Sequence, residues 1–232
     1  MAKIDVSTLE RDESFPAYLA KPEGAPRGAI VVIQEIFGVN PGIRRKCDAW
    51  AERGYLAIAP DLFWRFAPGV ELDPDIPDEF QQAIALMNRL DQDQAIRDIE
   101  AAIKAARERL PEGGKVGVVG YCLGGRLAFM AATRTDADAS VGYYGVGLDN
   151  LLHEKNAIGK PLMLHIAGDD HFVSKDVQAA VHEALDDNPH VTLHDYPGED
   201  HGFAAEMGKR RSEDAARLAD QRTEAFFAAN VG

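Results

Sequence analysis

Cys122 is the residue best placed to do chemistry. It lies in Val116-Gly117-Val118-Val119-Gly120-Tyr121-Cys122-Leu123-Gly124-Gly125, between a β-branched run and the helical run Arg126–Thr133. Gly-x-Cys-x-Gly at such a junction has the form of the Gly-x-Ser-x-Gly turn, where a nucleophile sits on a strained strand-to-helix bend. The flanking glycines are needed because a side chain there would collide with neighbouring backbone. The bend sets the sulfur at a helix N-terminus, whose partial positive charge favours a thiolate. It also points the Leu123 amide at a developing oxyanion. A free cysteine is more often a small buried hydrophobe, and that is the reading of Cys47, within the helical run Arg44–Arg53. No Gly-x-Ser-x-Gly occurs, so no serine competes.

A thiol nucleophile needs a base, and the base needs a group to orient it. The chain order expected with such a turn is nucleophile, acid, histidine. Of the seven histidines, His165 falls inside an apolar strand and reads as a satisfied core residue. His153, His182 and His190 lie in polar stretches and read as surface. His194 shares a strand face with His190, an incidental pairing. His201 differs: Pro197-Gly198-Glu199-Asp200-His201-Gly202-Phe203 follows the strand Val191–Tyr196, where a base belongs. The acid is expected after the preceding strand, in Ile166-Ala167-Gly168-Asp169-Asp170-His171-Phe172-Val173. Asp169 and Asp170 are both candidates there, and His171 is a weaker rival to His201. The strand Gly28–Gln34 ends in Glu35, beside the site. Its loop is the expected source of a second oxyanion amide, that of Ile36.

These residues need a scaffold that brings strand ends together. Continuous β-type runs at Gly28–Gln34, Tyr55–Ala59, Lys115–Val119, Ser140–Tyr144, Pro161–Ile166 and Val191–Tyr196 alternate with helical patterns. The helices expected are Ala95–Leu110, with Ile96, Ile99, Ile103, Ala106 and Leu110 on one stripe; Val173–Leu185, with Ser174 as N-cap; and Lys209–Ala228, with Ala215, Leu218, Ala219 and Phe226 facing inward. Alternating strands and helices predict an α/β fold: a mostly parallel central sheet with helices on both faces. Val6–Leu9 and Phe15–Leu19, split by Glu10-Arg11-Asp12-Glu13, predict an antiparallel hairpin on the sheet's edge. Ala67–Asp78, with three prolines and four acids, reads as a long ordered loop. The expected organisation is a single domain over residues 1–232.

Composition removes whole classes of function. With 25 basic and 38 acidic residues the net charge is −13, so nucleic acid and anionic membranes are not expected partners. Apolar runs such as Ala29–Ile33 are far too short to span a bilayer. Two cysteines cannot staple a chain of this length. No targeting segment is visible at the start, so a reducing cytoplasm and free thiols are expected. Neither Gly-x-Gly-x-x-Gly nor a Walker loop occurs, which disfavours nucleotide cofactors. His153-Glu154 and His182-Glu183 lack the second histidine of a zinc protease. A zinc site built from Cys122, His201 and Asp170 is disfavoured because a helix N-terminus suits an anion. No metal or organic cofactor is expected.

The chain resembles the dienelactone hydrolase family of α/β-hydrolases. The resemblance rests on Gln34-Glu35-Ile36-Phe37-Gly38-Val39-Asn40, Pro60-Asp61-Leu62-Phe63, Ala67-Pro68-Gly69, Gly120-Tyr121-Cys122-Leu123-Gly124-Gly125, Asp170-His171-Phe172-Val173 and His201-Gly202-Phe203. It implies Cys122 as nucleophile, His201 as base and Asp170, rather than Asp169, as the orienting acid. It implies that Glu35 holds the resting thiol and helps form the thiolate, and that Ile36 and Leu123 supply the oxyanion hole. The activity implied is cleavage of a small lactone or activated ester through a thioacyl intermediate, by a monomer or small homo-oligomer. The alternative is a small-molecule-binding or redox-sensing thiol protein on the same scaffold, without turnover. Two family arginines that clamp a substrate carboxylate are missing: Ala205 stands four residues after His201, and Asp78-Glu79-Phe80-Gln81-Gln82 holds none. Arg65, Arg89 and Arg126 are the candidate replacements. Trp64, Phe37, Tyr144 and Phe203 are the expected pocket walls, with Phe66 beside Trp64.

Overall fold

The computed structural model describes residues 2–232. Eight strands form one sheet: β1 (Ala2–Ser7), β2 (Ser14–Ala20), β3 (Ala29–Ile33), β4 (Leu56–Pro60), β5 (Val116–Tyr121), β6 (Ala139–Tyr143), β7 (Leu162–Ala167) and β8 (Val191–Tyr196). Their order across the sheet is β1-β2-β4-β3-β5-β6-β7-β8. From β4 to β8 every pairing is parallel, while β1 with β2 and β2 with β4 are antiparallel. The central strands β3, β4, β5, β6 and β7 are buried along their whole length, as unbroken apolar runs require when both faces are covered. β8, on the edge, is half-exposed.

Six α-helices accompany the sheet: α1 (Pro41–Glu52), α2 (Pro77–Met87), α3 (Gln92–Arg107), α4 (Leu123–Arg134), α5 (Lys175–Leu185) and α6 (Glu213–Asn230). α1 and α6 share one core layer with one face of the sheet. α2, α3, α4 and α5 share the other. The expected Ser174 cap is present, its hydroxyl accepting from Val177 N at 3.3 Å. Cys47 is buried in α1. His165 is a satisfied core residue, with Nδ1 2.8 Å from the Tyr196 hydroxyl and Nε2 2.9 Å from that of Thr223.

Two expectations are corrected. The first hairpin strand is Ala2–Ser7, not Val6–Leu9. Thr8 already turns the chain, its N–H donating to Glu13 O (3.0 Å) and its hydroxyl to Asp12 (2.9 Å). In α6 the buried stripe is Ala216, Ala219, Thr223 and Phe227, while Leu218 is exposed. Phe227 turns inward because Gly117 leaves room for it: a Cβ there would stand 2.6 Å from its ring. Thr223 hid this stripe, being a polar residue buried for its hydrogen bonds to His165 and Tyr143.

Candidate active site

The carboxyl ends of β3, β5, β7 and β8 deliver Glu35, Cys122, Asp170 and His201 to one end of the sheet, as the parallel arrangement demands. Cys122 is the bend between β5 and α4, at φ 57° and ψ −116°. That region costs a non-glycine residue on the order of 1–3 kcal/mol. The two glycines beside it have no alternative. A Cβ on Gly120 would lie 1.9 Å from Gly124 O, and one on Gly124 would lie 2.6 Å from Gln34 O.

His201 and Asp170 are both buried, and His201 Nδ1 lies 2.8 Å from Asp170 Oδ2. Asp170 Oδ1 accepts from Phe172 N at 2.8 Å, which fixes the carboxylate's orientation. Asp169 points to solvent and pairs with Lys175. The other imidazole nitrogen, Nε2, is buried without a hydrogen-bond partner among the described residues, and His201 lines the same pocket as Cys122. Burial opposes the charge on His201. The Cys122 charge and the hydrogen-bonded Asp170 carboxylate outweigh it, and the imidazole pKa is pushed up to about 10.

This has a measurable consequence. The largest influence raising His201 is Cys122, and alkylating the sulfur removes its charge. The imidazole of the carboxamidomethylated protein then titrates at lower pH than in the free protein, because burial is opposed by Asp170 alone. An NMR titration of the His201 ring before and after iodoacetamide reads this directly. An unchanged midpoint would mean the two groups do not interact.

Neither Ile36 N–H nor Leu123 N–H has a protein acceptor among the described residues, and both residues line the pocket. Glu35 lines it as well. Burial pushes its carboxyl pKa up, against the pull of His201, Lys46 and Arg210. Its carbonyl accepts from Gln34 Nε2 at 3.3 Å, while among the described residues its carboxylate has no hydrogen bond to the thiol.

The pocket measures about 420 Å³. Of the expected walls, Phe37 lines it. Trp64 does not: it stacks on Phe15 at 5.7 Å and donates Nε1–H to Asp98 at 3.0 Å. Phe66 packs on Phe63 at 5.6 Å. Tyr144 and Phe203 lie beneath the site, with Tyr144 edge-on to His201 at 5.0 Å and Phe203 packed against Tyr144 and Tyr196. Phe80, Ile84 and Met87 of α2 line the pocket with Phe172. Arg65 is committed to Asp98, and Arg89 lies over Phe66 at 4.7 Å. Arg126 does line the pocket, but Gln92 holds its Nε (2.7 Å) and Gly147 O its Nη1.

Arg210 was missed. Its guanidinium sits 5.7 Å from the rings of both Phe80 and Phe172 on the pocket wall, with no ion pair among the described residues. The sequence pattern had absorbed it into the last helix, which in fact begins at Glu213.

Residues 15–231 match the model of the dienelactone hydrolase family. The chain belongs to that family. A relative from Azospirillum brasilense is 48% identical over 223 residues, covering 95% of this chain and 96% of that one. The carboxymethylenebutenolidase of Pseudomonas putida is 40% identical over 215 residues, covering 93% and 91%. A crystal structure from Klebsiella pneumoniae superposes with a TM-score of 0.82 at 28% identity, covering 98% of this chain and 99% of that one. The chain is therefore a hydrolase of the dienelactone hydrolase family with the α/β-hydrolase fold. Among the described residues no helix is long and apolar enough to cross a membrane.

Metal ligation by Cys122, His201 and Asp170 together does not suit this dienelactone hydrolase geometry. Asp170 occupies the ring nitrogen opposite the one that faces the pocket. The set of metal-type ligand atoms that does cluster is Asp170, His171 and Asp200, and there His171 and Asp200 already bond each other.

Proposed function

We propose that this hydrolase cleaves a small lactone or activated carboxylic ester through a thioacyl-enzyme, with Cys122 as nucleophile, His201 as base and Asp170 as its orienting acid. The observation that carries the reading is the state of His201. Its Nδ1 is fixed to a buried carboxylate at 2.8 Å, and its Nε2 is unpartnered on the pocket that a strained cysteine lines. The name shared by curated relatives, carboxymethylenebutenolidase, favours a lactone.

The Cys122 thiolate attacks the carbonyl carbon and forms a C–S bond. The free amides of Ile36 and Leu123 hold the tetrahedral oxyanion. The intermediate collapses by breaking the C–O bond, and the leaving oxygen takes the proton of the His201 imidazolium. Acylation has meanwhile removed the sulfur's charge, so His201 falls back toward a neutral base. It then takes a proton from water as that water attacks the thioester. The C–S bond breaks, releasing the acid and restoring the thiolate–imidazolium pair. A carboxylate with a raised pKa is a stronger base than an exposed one, which suits Glu35 to accept the proton when the thiol ionises. Two free thiols fit a reducing compartment such as the cytoplasm.

Arg126 and Arg210 both line the pocket without an ion pair among the described residues, but Gln92 and Gly147 O engage Arg126 whereas Arg210 has no such partner. The substrate read from the site is therefore an ester or lactone carrying an acidic group that meets Arg210. A panel of p-nitrophenyl esters and five-membered lactones, with and without a carboxylate, tests both statements. Hydrolysis of lactones and activated esters is expected, with kcat/KM higher for the carboxylates by about tenfold. Arg210→Ala removes that preference, since an exposed charge-assisted contact contributes on the order of 1–3 kcal/mol. No hydrolysis of any member contradicts the activity. An intact preference in Arg210→Ala contradicts only the role of Arg210.

A further inference from the structure

Two carboxylate–imidazole pairs run side by side between the loop after β7 and the loop after β8. The first loop carries Asp170 and His171 in succession, and the second carries Asp200 and His201. Each acid pairs with the histidine of the other loop. The inner pair, Asp170 with His201, is buried. The outer pair, Asp200 with His171, is exposed, with His171 Nδ1 2.7 Å from Asp200 Oδ1 and 2.9 Å from Oδ2.

Asp200 does more than pair. Its Oδ1 also accepts from two backbone amides, His171 N at 3.0 Å and His201 N at 2.6 Å. One oxygen therefore joins the residue after the acid to the base itself. We infer that Asp200 is a positioning residue for the hydrolysis: by clipping the two loops together at their reacting ends, it sets His201 in register with Asp170 and Cys122.

Three further observations support the clip. Nearer the sheet the loops are joined by Gly168 N to Tyr196 O (2.9 Å) and Asp169 N to Glu199 O (2.8 Å), so Asp200 acts only on the outer end, where small displacements reach the imidazole. The Phe172 ring, next in line after His171, stands edge-on to His201 at 4.9 Å and lines the pocket. Partial burial is the largest single influence on the Asp200 carboxyl and raises it, but the bonds to the His171 ring and to both amides together outweigh it. They hold its carboxyl down at about 2, and the clip stays charged across the working range.

The inference rests on the roles given above to Cys122 and His201, and its test separates the two. With p-nitrophenyl acetate as substrate, Asp200→Ala lowers kcat about tenfold or more and leaves KM within about twofold, because a misplaced base slows chemistry without removing a binding contact. Asp200→Asn keeps an oxygen for both backbone amides and recovers most of the rate. His171→Ala removes only the ring contact and stays within a few-fold of the parent protein. Alkylation of Cys122 by iodoacetamide at pH 7, which needs no substrate, slows in Asp200→Ala as the imidazole drifts from the sulfur. Unchanged kcat and alkylation in Asp200→Ala overturn the inference, as does a loss that asparagine does not recover. Turnover surviving in Cys122→Ala overturns the catalytic reading instead, whatever Asp200 does.

Discussion

Replacing Cys122 by alanine is expected to lower kcat by roughly 10⁴-fold or more, since removing the nucleophile of a triad leaves only binding and the oxyanion amides. The same change leaves the fold intact. Cys122 is half-buried beside an open pocket, so no closed cavity forms, and thermal unfolding should shift by no more than a few degrees. Glycine at this position sharpens the test. At φ 57° it relieves strain of about 1 kcal/mol or more, so Cys122→Gly should be equally inactive and melt at higher temperature than the alanine variant. Loss of activity with gain of stability is the signature of a residue kept for chemistry. Cys47→Ala is the control: it trims a buried helix residue, costs some stability and leaves kcat within a few-fold. Equal losses of activity from Cys122→Ala and Cys47→Ala would contradict the assignment.

Asp170→Asn carries the second largest effect, a fall in kcat of about 10²–10⁴-fold. The carboxylate accepts a hydrogen bond from His201 Nδ1–H, which leaves Nε2 free of hydrogen in the neutral ring and able to take a proton from water. An amide that turns its NH₂ to the ring reverses this tautomer. It also removes a charge that raises His201, weakening the base. KM should change little, because Asp170 does not line the pocket. Asp169→Asn is the control, since its partner is Lys175 in solvent, and its kcat should match the parent. A comparable fall in both variants would contradict the choice of Asp170.

The central strands were legible because parallel strands covered on both faces leave unbroken apolar runs, as in Ala29–Ile33 and Val116–Val119. Cys122, Asp170 and His201 were legible because such a sheet brings its strand ends together, and each follows a strand. What surrounds them was not. Trp64 follows a strand too, yet it packs on Phe15 and Asp98, and nothing local distinguishes a packing aromatic from a pocket wall. The α6 stripe was displaced by one residue because Leu218 is apolar but exposed, whereas Thr223 is polar but buried. Arg210 and Asp200 are held by partners 38 and 29 residues away, Phe172 and His171, and no periodicity encodes such a contact. Arg65, Arg89 and Arg126 were equally basic in sequence. Only the fold shows that Asp98, Phe66 and Gln92 engage them.

The most direct measurement is mass spectrometry of the enzyme quenched in acid within the first turnover of an activated ester such as p-nitrophenyl acetate. The expected spectrum shows one added acyl group, mapped by proteolysis to the peptide that contains Cys122, absent from Cys122→Ala and decaying at the rate of turnover. Turnover without any adduct, or an adduct on another residue that decays at that rate, would contradict the thioacyl mechanism.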